Sequence, residues 1–303
     1  MKTYLDSYIL ADQAFPWLFP LLVFAFGACI GSFLNVCIYR IPLQLSVIKP
    51  KSSCPKCGRP IAWYDNIPIF SWFILRGKSR CCKQPYSIRY PVVEFLTAFF
   101  FWLTWILFPP MKAIFFMVFI AMMIVSAFID LDYMIIPDRF TIGGFILGLL
   151  LSMLIPQGHI APDVVPFIVQ SMQALVKAII GGFVGSALIL WVTLIAESIM
   201  KKEAMGVGDI KLMGAIGAFC GWKGAVFALF GGSIVGVLLF PLILAMRKKY
   251  PVKYLPHEED HEEYDPSHIP FGPSLVLGSF IYLFLAHDAV DLYFSLVGKA
   301  LFG

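Results

Sequence analysis

The sequence predicts an all-α polytopic membrane protein of about eight transmembrane helices, with a cytoplasmic, candidate zinc-binding insertion between the first and the second. Three observations predict it. Of the 303 residues, 59% are hydrophobic and only 14% charged, and the mean hydropathy is +0.82, whereas about a quarter of a soluble domain is charged. Apolar runs approach the roughly 20 residues a helix needs to cross a hydrocarbon core of about 30 Å. Lys and Arg gather in alternate loops, and that bias orients helices in a bilayer. A soluble globular domain is excluded. The lipid bilayer is an expected partner, and nucleic acid is not.

The first run, Pro16 to Ile38, follows a short tail with Lys2, Asp6 and Asp12. No Ala-x-Ala site follows it, so it reads as a retained helix and not as a removed signal peptide. Next comes the one long polar stretch, residues 39–91, with ten Lys and Arg from Arg40 to Arg89 against a single acid, Asp65. That bias places the stretch in the cytoplasm and the N-terminus outside. Further apolar runs cover Val92 to Phe108, Ala113 to Ile129, Phe140 to Ile155, Ile179 to Ala196, Ile210 to Gly221, Gly224 to Met246 and Pro273 to His287. The short fourth and sixth fit half-helices as well as full spans. Alternation returns Asp130 to Arg139, Lys201 to Asp209 and Arg247 to His268 to the cytoplasmic face, while the opposite loops hold only Lys112, Lys177 and Lys223. The spacings Gly27/Gly31, Gly144/Gly148, Gly181/Gly185 and Gly232/Gly236 suit close helix packing in lipid. Three parts result: the first helix (1–38), the insertion (39–91) and a membrane-embedded domain (92–303).

Two cytoplasmic segments carry acids at helix ends. In Ile129-Asp130-Leu131-Asp132-Tyr133-Met134-Ile135-Ile136-Pro137-Asp138, Asp130 stands where the third span leaves the membrane and Pro137 marks a break before the fourth. In Met205-Gly206-Val207-Gly208-Asp209-Ile210-Lys211-Leu212, a carboxylate follows two glycines, whose backbone can turn tightly or admit another chain. An ionisable residue at a membrane boundary is a functional candidate. Each half taken alone also reads as an interfacial cap. Two aspartates brought together share one proton, and such a pair hydrolyses peptides without a nucleophilic side chain or a metal.

These two segments resemble the active-site motifs of the type IV prepilin peptidases, a family of membrane aspartic proteases. The resemblance also covers Gly31-Ser32-Phe33-Leu34-Asn35-Val36, Tyr39-Arg40-Ile41-Pro42, Cys54-Pro55-x-Cys57, Asn66-Ile67-Pro68, Leu75-Arg76-Gly77-Lys78, Ser87-x-Arg89-Tyr90-Pro91-x-x-Glu94, Gly217, Gly221-Trp222 and Ile269-Pro270-Phe271-Gly272-Pro273. It implies a bifunctional enzyme of the bacterial inner membrane with its active site facing the cytoplasm. Such an enzyme cuts the basic leader from type IV prepilins or pseudopilins after a glycine. It then methylates the new amino terminus with S-adenosylmethionine. The implied catalytic pair is Asp130 and Asp209, with Asp132 and Asp138 as supporting or interfacial residues, and residues 92–303 become an aspartic peptidase domain.

Of seven cysteines, Cys29, Cys37 and Cys220 lie in apolar runs and read as small buried hydrophobes. Cys54, Cys57, Cys81 and Cys82 lie in the insertion, where a reducing compartment argues for metal over disulfides. The family often carries two Cys-x-x-Cys pairs resembling a tetrathiolate zinc site; here Ser79 stands where the second pair would begin. Cys54, Cys57 and Cys82 are therefore the candidate ligands, and Cys81 is a fourth only if the backbone bends, because successive side chains point apart. A site of three thiolates and a water, or no stable metal at all, stays open. The apolar piece Ile67 to Leu75 is too short to span and either rests on the membrane surface or packs on the metal module.

His257-Glu258-Glu259-Asp260-His261 fits the letters of a zincin motif, but after Pro256 and inside an acidic run it reads as a solvated loop. No glycine-rich nucleotide-binding turn is present. The S-adenosylmethionine site is expected in the insertion and its flanking helix ends, with Asn35, Arg40, Arg89 and Glu94 as candidates; each reads equally as a packing or snorkelling residue. Two other classes compete: a secondary transporter using Asp130 and Asp209 as ion sites, and a non-catalytic pilus or secretion assembly factor. The first would hold its acids near the bilayer midplane; the second would tolerate their loss.

Overall fold

A computed structural model describes residues 14–49, 52–54, 56–160, 165–201, 205–249 and 270–302. The His257–His261 motif, Ile269 and the tail with Lys2, Asp6 and Asp12 lie outside these residues. The chain forms two compact units, Met1–Val125 and Ser126–Gly303.

In the first unit, α1 (Leu18–Arg40) packs against α3 (Arg89–Leu107). Small residues set their separation: a Cβ on Gly31 would lie 2.7 Å from the Glu94 Cα, and one on Gly27 would lie 2.8 Å from the Ala98 Cα. Thr97 and Thr104 donate their hydroxyls to the carbonyls of Val93 (2.8 Å) and Phe100 (2.6 Å), so neither brings an unpaired polar group into apolar surroundings. Cys37 is buried as expected, whereas Cys29 is exposed on the helix surface. The insertion holds a 3-10 turn (Trp63–Asn66), the five-residue helix α2 (Phe70–Ile74) and two isolated bridges, Ser53 to Pro60 and Lys78 to Pro85. α4 (Pro110–Tyr133) begins in this unit.

The second unit contains the end of α4, then α5 (Asp138–Leu154), α6 (Phe167–Met200), α7 (Val207–Lys249), α8 (Gly272–Ile281), a π-helical turn (Tyr282–Ala286) and α9 (His287–Phe302). α7 packs against α5, α6 and α8 and is the element the others surround. Gly181 of α6 meets Gly217 of α7 backbone to backbone, and Gly232 and Gly236 of α7 pass Ser274 of α8, as the small-residue spacings predict. Gly221 (φ 69°, ψ 177°) breaks α7 into two arms, a conformation that L side chains rarely adopt. The break falls where the sixth and seventh apolar runs divide.

Among the described residues six helices are long and apolar enough to cross a membrane: Leu18–Arg40, Arg89–Leu107, Pro110–Tyr133, Phe167–Ile199, Val207–Leu239 and Gly272–Val297. α5, with 17 residues, falls short of the roughly 20 that a full crossing takes. All eight apolar runs of the sequence thus fall on helices, but two of them share α7, and the run on α5 is shorter than a full span.

Candidate active site

The second unit brings the two acidic segments to one place. α4 stops after Tyr133 because Met134 turns left-handed (φ 58°) and its N–H closes onto the Asp130 carbonyl at 3.0 Å. Pro137, extended at φ −62° and ψ 138°, then opens α5. Asp130, in the last turn of α4, is only 5% exposed. Its Oδ2 accepts the Gly272 N–H at 3.1 Å. That N–H is one of the orphan donors at the start of α8, whose N-cap, Phe271, offers no side-chain acceptor. Asp130 therefore caps a helix 142 residues away in sequence.

Asp209 is the third residue of α7 and lies in its first turn. The Ser186 hydroxyl of α6 donates to the Ile210 carbonyl (3.1 Å), and the Thr193 hydroxyl donates to the Met205 sulfur (3.6 Å), so α6 holds the turn on both sides of Asp209. The side chain is 8% exposed and has no hydrogen-bond or ionic partner among the described residues. Such an uncompensated buried carboxylate is costly, which makes it a candidate for function.

One side chain connects the pair. A Cβ on Gly208 would lie 3.4 Å from the Ile136 Cβ; one on Gly272 would lie 3.1 Å from the Ile136 Cδ1 and 2.6 Å from the Asp130 Oδ2. Ile136 thus stands between the residue preceding Asp209 and the residue that holds Asp130. Neither Gly206 nor Gly208 has a positive φ. Among the described residues a Cβ on Gly206 would meet nothing closer than 3.9 Å, so they leave the space beside it open. A turn does form here, closed by the Asp209 N–H on the Gly206 carbonyl at 3.1 Å, but it uses no backbone angle reserved to glycine, and the space left at Gly206 suits the close approach of another chain.

In the sequence, Gly272 and Ile136 stand out only as parts of motifs, and what they do is not visible there. The available signal was a Pro-flanked glycine opening a helix, Pro270-Phe271-Gly272-Pro273. Of the neighbouring acids, Asp138 pairs with Lys211 at 2.7 Å, joining the first turns of α5 and α7 at an exposed surface. An exposed pair is worth about 0–1 kcal/mol. Asp138→Asn should accordingly change thermal stability by no more than that and leave turnover within about threefold of the parent, as steady-state assays of the two proteins would read.

In the first unit, the insertion builds two turns of the same construction, 25 residues apart in sequence. In one, the Cys54 N–H donates to the Arg59 carbonyl (2.9 Å) and the Gly58 N–H to the Cys54 carbonyl (2.9 Å). In the other, Ser79 donates to Gln84 (2.8 Å) and Lys83 to Ser79 (2.9 Å). Gly58 and Lys83 are both left-handed, at φ 69° and 59°. Ser79 therefore occupies the place of Cys54, and Cys82 that of Cys57. The sulfur absent at 79 is supplied by Cys81, 3.3 Å from the Cys57 sulfur and 3.9 Å from that of Cys82. Cys54 and Cys82 lie 3.6 Å apart, and all four sulfurs fall within 4.8 Å of one another. A tetrahedral zinc with bonds of about 2.3 Å sets its sulfurs about 3.8 Å apart, so this donor set fits that metal. The backbone N–H groups of Cys57 and Lys56 pull the Cys54 thiol down to about 6. The Ser79 hydroxyl lowers Cys82, and the hydrogen bond between Cys57 and Cys81 pushes Cys81 up to about 12.

The four candidates for the methyl donor all lie in the first unit. The Asn35 amide donates to the Tyr90 carbonyl (3.0 Å), and the Glu94 carboxylate accepts the Ile69 N–H (2.7 Å). Ile69 is itself strained, at φ 65°. The Arg40 guanidinium donates to the Ser46 carbonyl at 2.9 Å, and Arg89 opens α3. Asn35 and Glu94 thus have polar groups engaged on the protein's own backbone, which is the structural alternative for them.

The fold is that of a multi-pass helical membrane protein, with two buried aspartates at helix ends in its second unit. Residues 25–108 match the family model of the bacterial Peptidase A24 N-terminal domain, and residues 117–241 match that of the type IV leader peptidase family. The "Prepilin leader peptidase/N-methyltransferase" of Aeromonas hydrophila is 33% identical over 294 residues, 88% of this chain and 91% of that protein. Its namesake from Aeromonas salmonicida (strain A449) is 32% identical, with 93% and 96% covered. That of Myxococcus xanthus (strain DK1622) is 36% identical over 233 residues, 73% of this chain and 63% of that protein's length. The chain belongs to the type IV leader peptidase family. No solved structure matches it.

Proposed function

We propose that this protein cleaves the basic leader from type IV prepilins or pseudopilins after a glycine, on the cytoplasmic side of a bacterial inner membrane, and N-methylates the new terminus with S-adenosylmethionine. The observation that carries the reading is the pair of buried carboxylates, Asp130 and Asp209, bridged by Ile136 within one unit. The acids stand at the ends of helices long enough to span, and that position favours a peptidase over a transporter, whose acids sit near the bilayer midplane.

The Gly272 N–H fixes the Asp130 carboxylate in place for the chemistry. One carboxylate of the pair takes a proton as the water oxygen attacks the carbonyl carbon, and the other gives its proton to the carbonyl oxygen. Collapse of the resulting diol breaks the C–N bond, with a proton returned to the departing amine. Open space beside Gly206 suits an extended chain lying next to Asp209. Purified protein in lipid, given a prepilin and labelled methyl donor, should release the leader and label the new terminus. Failure to cleave would sink the peptidase reading, and cleavage without label would leave a protease alone.

Cys54, Cys57, Cys81 and Cys82 would hold a structural zinc that ties the two turns together. Any S-adenosylmethionine site would use the insertion and the helix ends with Asn35, Arg40, Arg89 and Glu94; bound there, that group supplies the methyl. Cys81→Ala should weaken zinc by at least about 10- to 100-fold, the range for perturbing a mere partner of a ligand. Adding Ser79→Cys should restore it, because position 79 repeats the geometry of Cys54; competition with a chelating dye measures both. Zinc content should also fall on acidification, because protons compete with the metal for the four thiolates.

A further inference from the structure

In α2 the periodicity divides the side chains. Ser71 and Trp72 turn inward, Ser71 buried with its hydroxyl on the Tyr64 carbonyl (3.4 Å) and Trp72 donating its indole N–H to the Tyr86 carbonyl (3.3 Å). Phe70, Phe73 and Ile74, spaced to share one face, are 63%, 61% and 70% exposed. Ile74 also lines a cavity of about 400 Å³ together with Leu75, Arg76, Lys78, Arg80 and Lys83. An apolar face therefore runs directly into a cationic cavity.

The charges there are uncompensated. Asp65 is the insertion's one acid before Glu94 of α3, and Arg80 takes it at 2.8 Å while lying 5.6 Å over the Tyr64 ring. Arg76, Lys78 and Lys83 have no ionic partner among the described residues. Three such cations beside three exposed apolar side chains match a ligand that is anionic at one end and hydrocarbon at the other. A basic leader peptide, the substrate proposed above, would be repelled by the same charges. The insertion joins α1 to α3, two helices long and apolar enough to span, so a bilayer surface is within reach whichever side it faces. Basic and apolar residues gathered at that level are the footprint of an anionic lipid.

We infer that the insertion carries a binding site for an anionic phospholipid, its phosphate among Arg76, Lys78 and Lys83 and its chains along Phe70, Phe73 and Ile74. The site lies in the first unit, whereas the aspartate pair belongs to the second, and it acts as a strap that holds the cysteine module to the membrane surface.

The test is hydrogen exchange over residues 67–86 in the full-length protein, reconstituted in nanodiscs of phosphatidylcholine alone or with phosphatidylglycerol. Exchange should slow at least about fivefold with phosphatidylglycerol, a shift of about 1 kcal/mol or less per basic residue engaged. The triple variant Arg76→Gln, Lys78→Gln, Lys83→Gln should lose that slowing while its melting temperature stays near the parent's. Phe73→Ser with Ile74→Ser should lose it independently. Equal exchange in both lipids would overturn the proposal, as would slowing that survives the triple variant. Glycerol phosphate slowing exchange as much in phosphatidylcholine discs would make this a soluble-anion site and overturn the lipid assignment. Slowing that rises with protein concentration would make the face a contact between copies and overturn it too. None of these readouts uses prepilin cleavage, so failure here leaves the peptidase reading untouched.

Discussion

Replacing either Asp130 or Asp209 by Asn should lower prepilin cleavage by at least about 10²–10⁴-fold, the range that a positioned general acid or base supplies. Asn preserves the shape of each side chain, so loss of rate reports loss of proton transfer. In Asp130→Asn the Gly272 N–H can still donate to the introduced amide oxygen, and α8 keeps its cap; the melting temperature should therefore barely fall. Asp209→Asn should hold or raise the melting temperature, since the change removes a buried carboxylate that has no partner among the described residues, and replacing such a group relieves the cost of burying it. An active site kept at the expense of stability shows this signature: less activity in a more stable protein. Methylation of substrate already cut should persist in both variants, because its candidate residues lie in the other unit. Near-normal cleavage by either variant would remove that residue from the chemistry.

How much of this was legible beforehand follows from what each feature depends on. Apolar runs of membrane length depend on local composition alone, so the helices could be placed from the chain. The division of α7 falls at the gap between the sixth and seventh apolar runs, and the glycine there, Gly221, takes backbone angles that other residues rarely adopt. The two aspartates could be nominated because an acid at a membrane boundary is costly wherever it sits. Gly272 could not, since its value lies in an N–H delivered to a carboxylate 142 positions earlier, and no local pattern encodes that distance. Cys81 is similar: adjacent to Cys82, it looked poorly placed, and only the repeated turn shows that Ser79 leaves a gap for its sulfur. The glycines before Asp209 are ordinary in backbone angle, and what they contribute, open space at Gly206 and contact with Ile136 at Gly208, depends on neighbours that no local pattern names.

Gly272→Ala should be the most damaging change outside the pair itself. The new methyl would lie 2.6 Å from the Asp130 Oδ2 and 3.1 Å from the Ile136 Cδ1. One or both must move, and overpacking of this sort costs about 1–3 kcal/mol. Movement of the carboxylate lengthens its bond to the Gly272 N–H and shifts both of its oxygens from their working positions, and a misplacement near 1 Å can cost about 10²-fold in rate. A control separates this from mere loss of stability. At Gly278, in the same helix, a Cβ would lie 2.5 Å from the Ala228 carbonyl oxygen, a clash with backbone and far from either acid in sequence. Gly278→Ala should lower the melting temperature at least as much as Gly272→Ala, yet leave cleavage per folded molecule within about threefold of the parent, because the misplacement penalty applies only to the reacting groups. If the two variants lose activity in proportion to stability, the Gly272 contact with Asp130 positions nothing, and the carboxylate must be held by its other neighbours.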